Sequence, residues 1–146
     1  MGGYLFDTMV HVHAYDRIPE KWQRQWKEAT IGSKPLILFE PLIAEILYQL
    51  TEKKGYNTAS SRIYWLKALS NTKIIPLDKD HDEIAFAAAS AFKEFKEHGL
   101  SLVDSFSLVI AKEERADIFT TEHGLRDAGN DFGVRVSFLP KEIFKR

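Results

Sequence analysis

The chain has 146 residues, of which 45% are hydrophobic and 28% charged, and this composition is typical of one globular domain over residues 1–146. It contains no cysteine, which excludes disulfide bonds and thiolate metal sites, and its net charge of −1 gives no overall attraction to nucleic acid. No apolar run approaches the roughly 20 residues that span a bilayer, and the first residues lack the basic and long apolar regions of a signal peptide. We therefore expect a cytoplasmic protein that makes no use of a membrane.

The predicted elements alternate between short apolar strands and helices whose apolar residues recur at helical spacing. In chain order they are a strand at Tyr4–Phe6, a helix from Pro19 toward Ala29, a strand at Leu36–Phe39, a helix from Pro41 to about Thr51, a helix at Ala59–Leu69, a strand at Ile74–Leu77, a helix at Asp82–Glu97, a helix from Ser101 to about Glu114, a strand at Ile118–Thr120, a loop or short turn of helix at Gly124–Gly133, and a strand at Val134–Phe138. This alternation predicts an α/β fold with a central, mostly parallel β-sheet flanked by helices. Ligands of such sheets bind outside the carboxyl ends of the strands, so chemistry is expected there.

Asp7 directly follows the first predicted strand, Tyr4–Phe6. A carboxylate in this position lies at the rim of the sheet, where ligands bind. The alternative is an N-cap role for the next helix, for which Asp and Thr are both favoured. The residue type alone does not decide between the two.

Glu45 has only apolar residues within three positions on either side, from Leu42 to Tyr48. On a helix this pattern leaves no polar face for the carboxylate, so we expect Glu45 to be buried. An unpaired buried charge costs several kcal/mol or becomes neutral through a pKa shift. A functional role or a buried partner is therefore favoured over a surface role.

Asp104 lies among apolar residues at the start of a predicted helix, and its spacing from Ser101 is that of a capping box. Asp80 and Glu83 have the same spacing, in a polar stretch where a structural role is expected. Taken alone, Asp104 also favours a structural role.

Asp7, Glu45 and Asp104 together, however, belong to elements whose ends can reach one edge of the sheet. Clustered carboxylates repel one another, and a hard divalent cation such as Mg²⁺, Mn²⁺ or Ca²⁺ is the usual remedy.

Four segments of the sequence resemble the PIN-domain family, and the resemblance extends over nearly the whole chain. The matching segments are Tyr-Leu-Phe-Asp7-Thr8, Pro-Leu-Ile-Ala-Glu45-Ile-Leu, Gly-Leu-Ser-Leu-Val-Asp104-Ser and Ala-Asp-Ile-Phe-Thr120-Thr121-Glu122. The resemblance implies a three-layer α/β domain in which Asp7, Glu45, Asp104 and Glu122 converge as catalytic and metal-binding residues. Short chains of this family resemble VapC-like toxin ribonucleases of toxin–antitoxin pairs.

The resemblance further implies an endoribonuclease that holds one or two Mg²⁺ or Mn²⁺ ions and cuts RNA with a metal-activated water. Thr8 and Thr120 are expected to orient the carboxylates by hydrogen bonds. The chain departs from the family pattern at Glu122, where Asp is more frequent, and at Met9, where a small polar residue is common. Asp127 and Asp131, in the segment that follows, are possible substitutes for Glu122.

The remaining expectations concern partners. RNA needs cations, and the candidates are Lys112, Arg115, Arg126 and Arg135, each of which is equally explained as a solvated surface residue. The segment Ser61–Leu66 carries more apolar surface than one core-facing stripe requires, which favours a homodimer through Tyr64 and Trp65. The alternative is that Tyr64 and Trp65 pack against the core of a monomer. The resemblance also implies a small antitoxin protein as a partner.

Other metal-dependent classes fit less well. His11-Val12-His13 is similar to the paired ligands of amidohydrolases, but those are barrels of about 200 residues or more, so two surface or rim histidines are expected. His81-Asp82 is similar to the metal pair of an all-helical phosphohydrolase fold, which does not accommodate strands. No glycine-rich phosphate loop occurs. The serious alternative to a nuclease is a catalytically weak PIN-like module that binds RNA or a protein through the same surface.

Overall fold

Five short strands pair in parallel to form one sheet in the computed structural model, which describes residues 2–77 and 82–145. The strands are β1 at Tyr4–Phe6, β2 at Leu36–Phe39, β3 at Thr72–Ile75, β4 at Asp117–Thr120 and β5 at Val136–Phe138. The two strands β1 and β2 are buried along their whole length. Continuous apolar runs of this kind are expected of central strands that are covered on both faces.

Seven α-helices are present among the described residues. They are α1 at Thr8–Ala14, α2 at Gln23–Ile31, α3 at Glu40–Lys54, α4 at Tyr56–Ala68, α5 at Asp82–Glu94, α6 at Leu102–Glu114 and α7 at His123–Phe132. One packed group consists of α1, α3 and α4, and a second consists of α5, α6 and α7. With the sheet between helices, the fold is a three-layer α/β domain, as the sequence predicts.

The order of the strands in the sheet is β3-β2-β1-β4-β5. The chain therefore builds outward from β1 through β2 to β3 on one side, then crosses over to add β4 and β5 on the other side. Tyr4 pairs with Leu36 of β2 and also with Asp117 of β4, which makes β1 the central strand. The strand order reverses between β1 and β4. In open parallel sheets, a crevice forms at such a reversal, outside the carboxyl ends of the strands.

The segment 124–133, predicted as a loop or a short turn of helix, is the three-turn helix α7, so that prediction was wrong. Its two glycines suggested a loop, but both serve close packing. A Cβ at Gly124 would lie 2.1 Å from the carbonyl oxygen of His98, and one at Gly129 would lie 2.4 Å from a methyl carbon of Val136. Glycine here lets the helix approach its neighbours, which is a tertiary requirement that sequence pattern does not reveal.

The region after β1 also differs from the expectation. The helix predicted from Pro19 begins instead with a short 3₁₀ turn at Glu20–Trp22 before α2, because Trp22 turns into the core and is fully buried. A separate helix, α1, occupies Thr8–Ala14 and was not assigned from sequence. The predicted capping residue Asp80 lies outside the described residues. None of the helices in the described part of the chain is long and apolar enough to cross a membrane.

Candidate active site

Four carboxylates meet at the crevice beside β1 and β4. They line a cavity of about 250 Å³, called the acidic pocket below, whose walls are Asp7, Thr8, Met9, Glu45, Gln49, Gly99, Ser101, Asp104 and Glu122. Asp7 follows β1 and Glu122 follows β4, while α3 supplies Glu45 and α6 supplies Asp104. The four acids named from the sequence are therefore brought to one place by the ends of two strands and by two helices.

Asp7 is the most buried of these acids, with 4% of its surface exposed. Its carboxylate caps α1 by accepting a hydrogen bond from the backbone N–H of Thr8 at 2.8 Å, and its other oxygen accepts one from the Thr120 hydroxyl at 2.8 Å. Burial, together with the negative charges of Asp104 and Glu122, raises the pKa of Asp7 to about 7, against the lowering effect of these hydrogen bonds. The capping role is therefore real, and it coexists with a place among other carboxylates.

Asp104 also combines a structural contact with a place in the pocket. It forms a complete capping box with Ser101, in which the Ser101 hydroxyl accepts from the Asp104 N–H at 3.1 Å and the carboxylate accepts from the Ser101 N–H at 3.2 Å. Burial raises the pKa of Asp104 to about 6, with contributions from the charges of Glu45 and Glu122. Raised pKa values from burial and like charge are typical of functional sites.

Glu45 is only partly buried, so the expected full burial was wrong. Apolar neighbours in sequence do not bury it, because Ala44 and Tyr48 face outward on α3, and Tyr48 is 62% exposed. The carboxylate accepts a short hydrogen bond from the hydroxyl of Thr8. The apolar run around Glu45 thus combines core residues, such as Leu42 and Ile46, with exposed ones, such as Tyr48, and does not bury the charge.

Thr120 joins the ends of the two central strands. Its hydroxyl donates to Asp7 of the β1 end and accepts from the backbone N–H of Glu122 at 3.0 Å. Thr120 is fully buried, and Thr8 is nearly so. Both threonines named from the sequence thus donate a hydrogen bond to a carboxylate of the acidic pocket, and each bond restricts the orientation of that carboxylate.

The Glu122 carboxylate forms an ion pair with the ammonium group of Lys141, 3.2 Å away. Lys141 belongs to a 3₁₀ turn at Lys141–Phe144 near the end of the chain, and sequence reasoning missed it. No pattern signals this contact, since it depends on β5 returning the chain to the same sheet edge. Glu122 itself precedes α7 without capping it through its side chain.

The possible substitute acids do not line the acidic pocket. Asp127 pairs with its neighbour Arg126 at 2.9 Å, and Asp131 lies 3.5 Å from His98. Both side chains are substantially exposed on α7. Glu122, and neither Asp127 nor Asp131, therefore lines the acidic pocket together with Asp7, Glu45 and Asp104.

Three of the four candidate RNA-binding cations lie at the opposite edge of the sheet. Lys112, Arg115 and Arg135 line a separate cavity together with Asp117, the first residue of β4, and Arg135 pairs with Asp117 at 2.9 Å. The fourth, Arg126, lies against the ring of Phe138. The structure does not bring any of the four into the lining of the acidic pocket.

His11, but not His13, differs from the expected surface or rim histidine. His11 is 1% exposed, and its ring makes edge contacts with Phe6 and Trp26. Burial, followed by the charge of Arg62, lowers the pKa of His11 to about 3, and neither ring nitrogen has a hydrogen-bond partner among the described residues. His11 is a core residue, while His13 is half-buried and stacks on Phe144. The other sequence pair, His81-Asp82, begins outside the described residues.

A larger cavity, about 500 Å³, lies elsewhere, between the end of α1 and α4. It is lined by Tyr15, Asn57, Thr58, Ser61, Arg62 and Trp65. These walls bring together no two acids and no acid–base pair. Size alone is therefore a poor guide, since it is the smaller acidic pocket that is lined by four carboxylates.

The oxygen donors of the acidic pocket are those that Mg²⁺ and Mn²⁺ prefer. Burial and the charges of neighbouring acids raise the pKa values of Asp7 and Asp104, and a divalent cation would favour their ionised forms. Within residues 2–77 and 82–145, no group of three His, Asp or Glu side chains has the arrangement needed to bind one metal ion. Glu45 and Glu122 are turned toward Thr8 and Lys141 instead. The residues fit a divalent cation chemically, since all four carboxylates line one pocket.

Comparison with known proteins gives a consistent result. The family model described as PIN domain matches residues 4–130. Among solved structures, the chain is similar to VapBC2 from Rickettsia felis, crystallised bound to a DNA fragment from their promoter, with a TM-score of 0.62, 18% identity, and 92% of this chain and 97% of that chain covered. It is also similar to PAE2754 from Pyrobaculum aerophilum, with a TM-score of 0.53, 20% identity, and 92% and 89% covered. No curated protein sequence matches significantly.

Proposed function

Because the chain belongs to the PIN domain family, we propose that it is a Mg²⁺- or Mn²⁺-dependent endoribonuclease whose active site is the acidic pocket. One observation carries the proposal. Asp7, Glu45, Asp104 and Glu122 converge at the topological switch point of the sheet, and two of them have pKa values raised by burial and by one another. Such an arrangement is unfavourable without a cation, and it is suited to holding one.

Each residue has a role in this mechanism. Asp7, Asp104, Glu45 and Glu122 are the residues that would hold one or two metal ions. A bound divalent ion supplies an activated water and stabilises charge on the phosphodiester. Thr120 holds the Asp7 carboxylate, and Thr8 holds that of Glu45. No side-chain nucleophile is needed, which agrees with the lack of cysteine in the chain.

RNA is proposed as the substrate on the resemblance to VapC-like ribonucleases and on local charge. The overall charge of −1 does not favour nucleic acid, so binding depends on cations placed at the site. Lys141 provides one beside Glu122. A phosphate is repelled by four carboxylates until a metal ion is bound, so metal and RNA should bind cooperatively.

The test is cleavage of single-stranded RNA by purified protein. Activity should require added Mg²⁺ or Mn²⁺ and should disappear in EDTA. Asp104→Asn should abolish cleavage, while the matched surface variant Asp127→Asn should retain it, because Asp127 does not line the pocket. Cleavage that continues in chelator, or undiminished activity of Asp104→Asn, would overturn the assignment.

We further propose that the protein is the toxin of a toxin–antitoxin pair, inhibited by a small antitoxin protein. The fold similarity to VapBC2 from Rickettsia felis supports this, together with the sequence resemblance to VapC-like toxins. The acidic pocket suits a guanidinium from such a partner, because Arg binds carboxylates in a bidentate manner. Lys141 already shows that a basic side chain can occupy a position beside Glu122. The antitoxin cation would therefore compete with the metal ion.

A homodimer is proposed through the paired helices α3 and α4. Tyr64 is 71% exposed and Tyr48 is 62% exposed, while Tyr56 and Trp65 add further exposed aromatic surface on the same two helices. Exposed aromatic residues clustered in this way are typical of protein interfaces. Trp65 is also in contact with the guanidinium of Arg62 at 4.2 Å, which fixes the orientation of its ring.

One observation favours the alternative of a catalytically weak binding module. Among the described residues no three acids stand ready to hold an ion, and Lys141 already neutralises Glu122. In that case the protein would bind RNA or a partner but would not cut. The cleavage assay separates the two functions, since a weak module would bind RNA with equal affinity in Mg²⁺ and in EDTA and would leave it intact.

A further inference from the structure

A second, smaller cavity adjoins the acidic pocket and is lined by lysines instead of acids. It has a volume of about 220 Å³ and is called the C-terminal groove below; its walls are Met9, His13, Thr121, Lys141, Phe144 and Lys145. Met9 lines both the groove and the acidic pocket. Lys141 lines the groove and reaches Glu122 on the pocket side. The two cavities are therefore neighbours, separated by one methionine and one lysine.

The charge of the C-terminal groove complements that of the acidic pocket. Lys141 and Lys145 are both exposed, and none of the residues named as its walls is acidic. A polyanion whose reacting phosphate lies in the acidic pocket would find compensating positive charge at this side of it. Lys112 and Arg135 line a separate cavity with Asp117, and neither lines the acidic pocket.

The groove also contains a planar aromatic wall. The rings of His13 and Phe144 are nearly parallel, with an interplanar angle of 12° and centroids 4.2 Å apart. Thr121 contributes a hydroxyl-bearing side chain to the same lining. The volume falls below the roughly 300–1,000 Å³ of pockets for larger ligands, so a single flat group fits it better than a folded element of a protein. Aromatic walls beside lysines are the usual means of binding single-stranded nucleic acid.

We propose that the C-terminal groove is the subsite for the nucleotide next to the cleaved phosphate of single-stranded RNA. The base packs against Phe144 and Met9, and Lys141 and Lys145 bind the flanking phosphates. This proposal rests on the proposed ribonuclease function and adds to it the residues that hold the substrate. It follows that Lys141 has two partners: Glu122 in the metal-free protein, and an RNA phosphate once a cation occupies the carboxylates.

The test measures RNA binding and metal binding separately. Binding of a fluorescein-labelled single-stranded oligoribonucleotide of about eight nucleotides is followed by fluorescence anisotropy in Ca²⁺, with a gel to check that the RNA stays intact. Lys145→Ala should weaken binding and lower the slope of log affinity against log salt by about 0.7. Phe144→Leu, which keeps an apolar side chain but loses the ring, should weaken binding at least about fivefold. The matched control is Lys112→Ala at the opposite sheet edge, which should bind as the unaltered protein does.

Mn²⁺ binding by calorimetry gives the second readout. Phe144→Leu and Lys145→Ala should bind Mn²⁺ with unchanged affinity, whereas Lys141→Ala should bind Mn²⁺ more tightly and RNA more weakly. Circular dichroism establishes that each variant is folded. Should folded Phe144→Leu and Lys145→Ala bind RNA normally, the subsite is wrong, even though metal-dependent cleavage by the unaltered protein would leave the nuclease assignment intact. If the variants lose only a protein partner and keep RNA, the groove is a protein-binding surface. If the unaltered protein neither binds nor cuts RNA, the proposed function fails and the subsite fails with it.

Discussion

Replacing Asp7 by Asn removes the most strongly perturbed carboxylate of the acidic pocket while keeping the shape of the side chain and one hydrogen-bond acceptor. Burial raises the pKa of Asp7 from 3.8 to about 7, with the charges of Asp104 and Glu122 adding to the effect. A raised pKa in the folded state means that the native protein keeps this proton after the unfolded chain has lost it. Stability contributed by the proton is therefore lost as the pH rises from about 4 toward 7.

The magnitude follows from these two pKa values. Compared with a carboxyl group that stays protonated in both states, this pKa difference lowers the free energy of unfolding by about 4 kcal/mol at pH 8. At pH 5, where only the unfolded chain ionises, it lowers it by about 2 kcal/mol. Asp7→Asn should therefore stabilise the metal-free protein by about 2–3 kcal/mol more at pH 8 than at pH 5. For a domain of this size that difference is roughly 5–10 °C in melting temperature. The comparison of the two proteins at each pH cancels groups that titrate in both, such as His11.

The assay is thermal or urea unfolding of both proteins in EDTA at the two pH values. Asp127→Asn serves as the matched control, because it neutralises an exposed carboxylate outside the pocket. An equal effect of Asp7→Asn at pH 5 and pH 8 would refute the reasoning, since it would mean that Asp7 is not held in an unfavourable ionised state. A variant less stable than the unaltered protein at pH 8 would refute it as well.

Three further predictions concern other parts of the molecule. Burial lowers the pKa of His11 to about 3, so below about pH 6.5 the unfolded chain binds a proton that the native state does not bind. The free energy of unfolding therefore falls as the pH falls. His11→Leu should remove about 1–2 kcal/mol of that loss between pH 7.5 and pH 5, measured by urea unfolding. Light scattering should show a dimer at tens of micromolar, converted to a monomer by Tyr64→Glu, and a monomeric unaltered protein would count against the interface. A purified antitoxin should suppress RNA cleavage, with excess Mn²⁺ partly relieving the suppression; inhibition with unchanged metal occupancy would place the partner outside the acidic pocket.

The sheet and the settings of Asp7 and Asp104 follow from the sequence because both depend on short-range pattern, whereas Glu122 was named only from the resemblance to the PIN-domain family. Continuous apolar runs such as Leu36–Phe39 predict central strands, and an acid directly after a strand falls at the ligand-binding edge. The capping box of Ser101 and Asp104 is likewise a local signal that the structure confirms. For Asp7 and Asp104, a capping contact and a place in the lining of the acidic pocket are compatible, and a role in catalysis stays a prediction.

What the sequence does not predict depends on distant contacts. The exposed face of α3 made the burial expected for Glu45 wrong, because an apolar run is the same whether it meets the core or a surface. The glycines of α7 were taken for loop residues although they allow close packing. The contact of Lys141 with Glu122 and the groove beside it depend on how the last 3₁₀ turn folds back, and neither has a local pattern.

The most direct test of the account follows Mn²⁺ occupancy and RNA cleavage in the same sample. The protein is titrated with Mn²⁺, bound ion is measured by electron paramagnetic resonance, and the cleavage rate of single-stranded RNA is measured at each point. The account predicts that cleavage rises in step with one or two bound ions per chain, and that Asp104→Asn loses both binding and cleavage. Cleavage without bound metal, or tight Mn²⁺ binding that is indifferent to Asp104, would contradict the claim that the acidic pocket is a metal-dependent nuclease site.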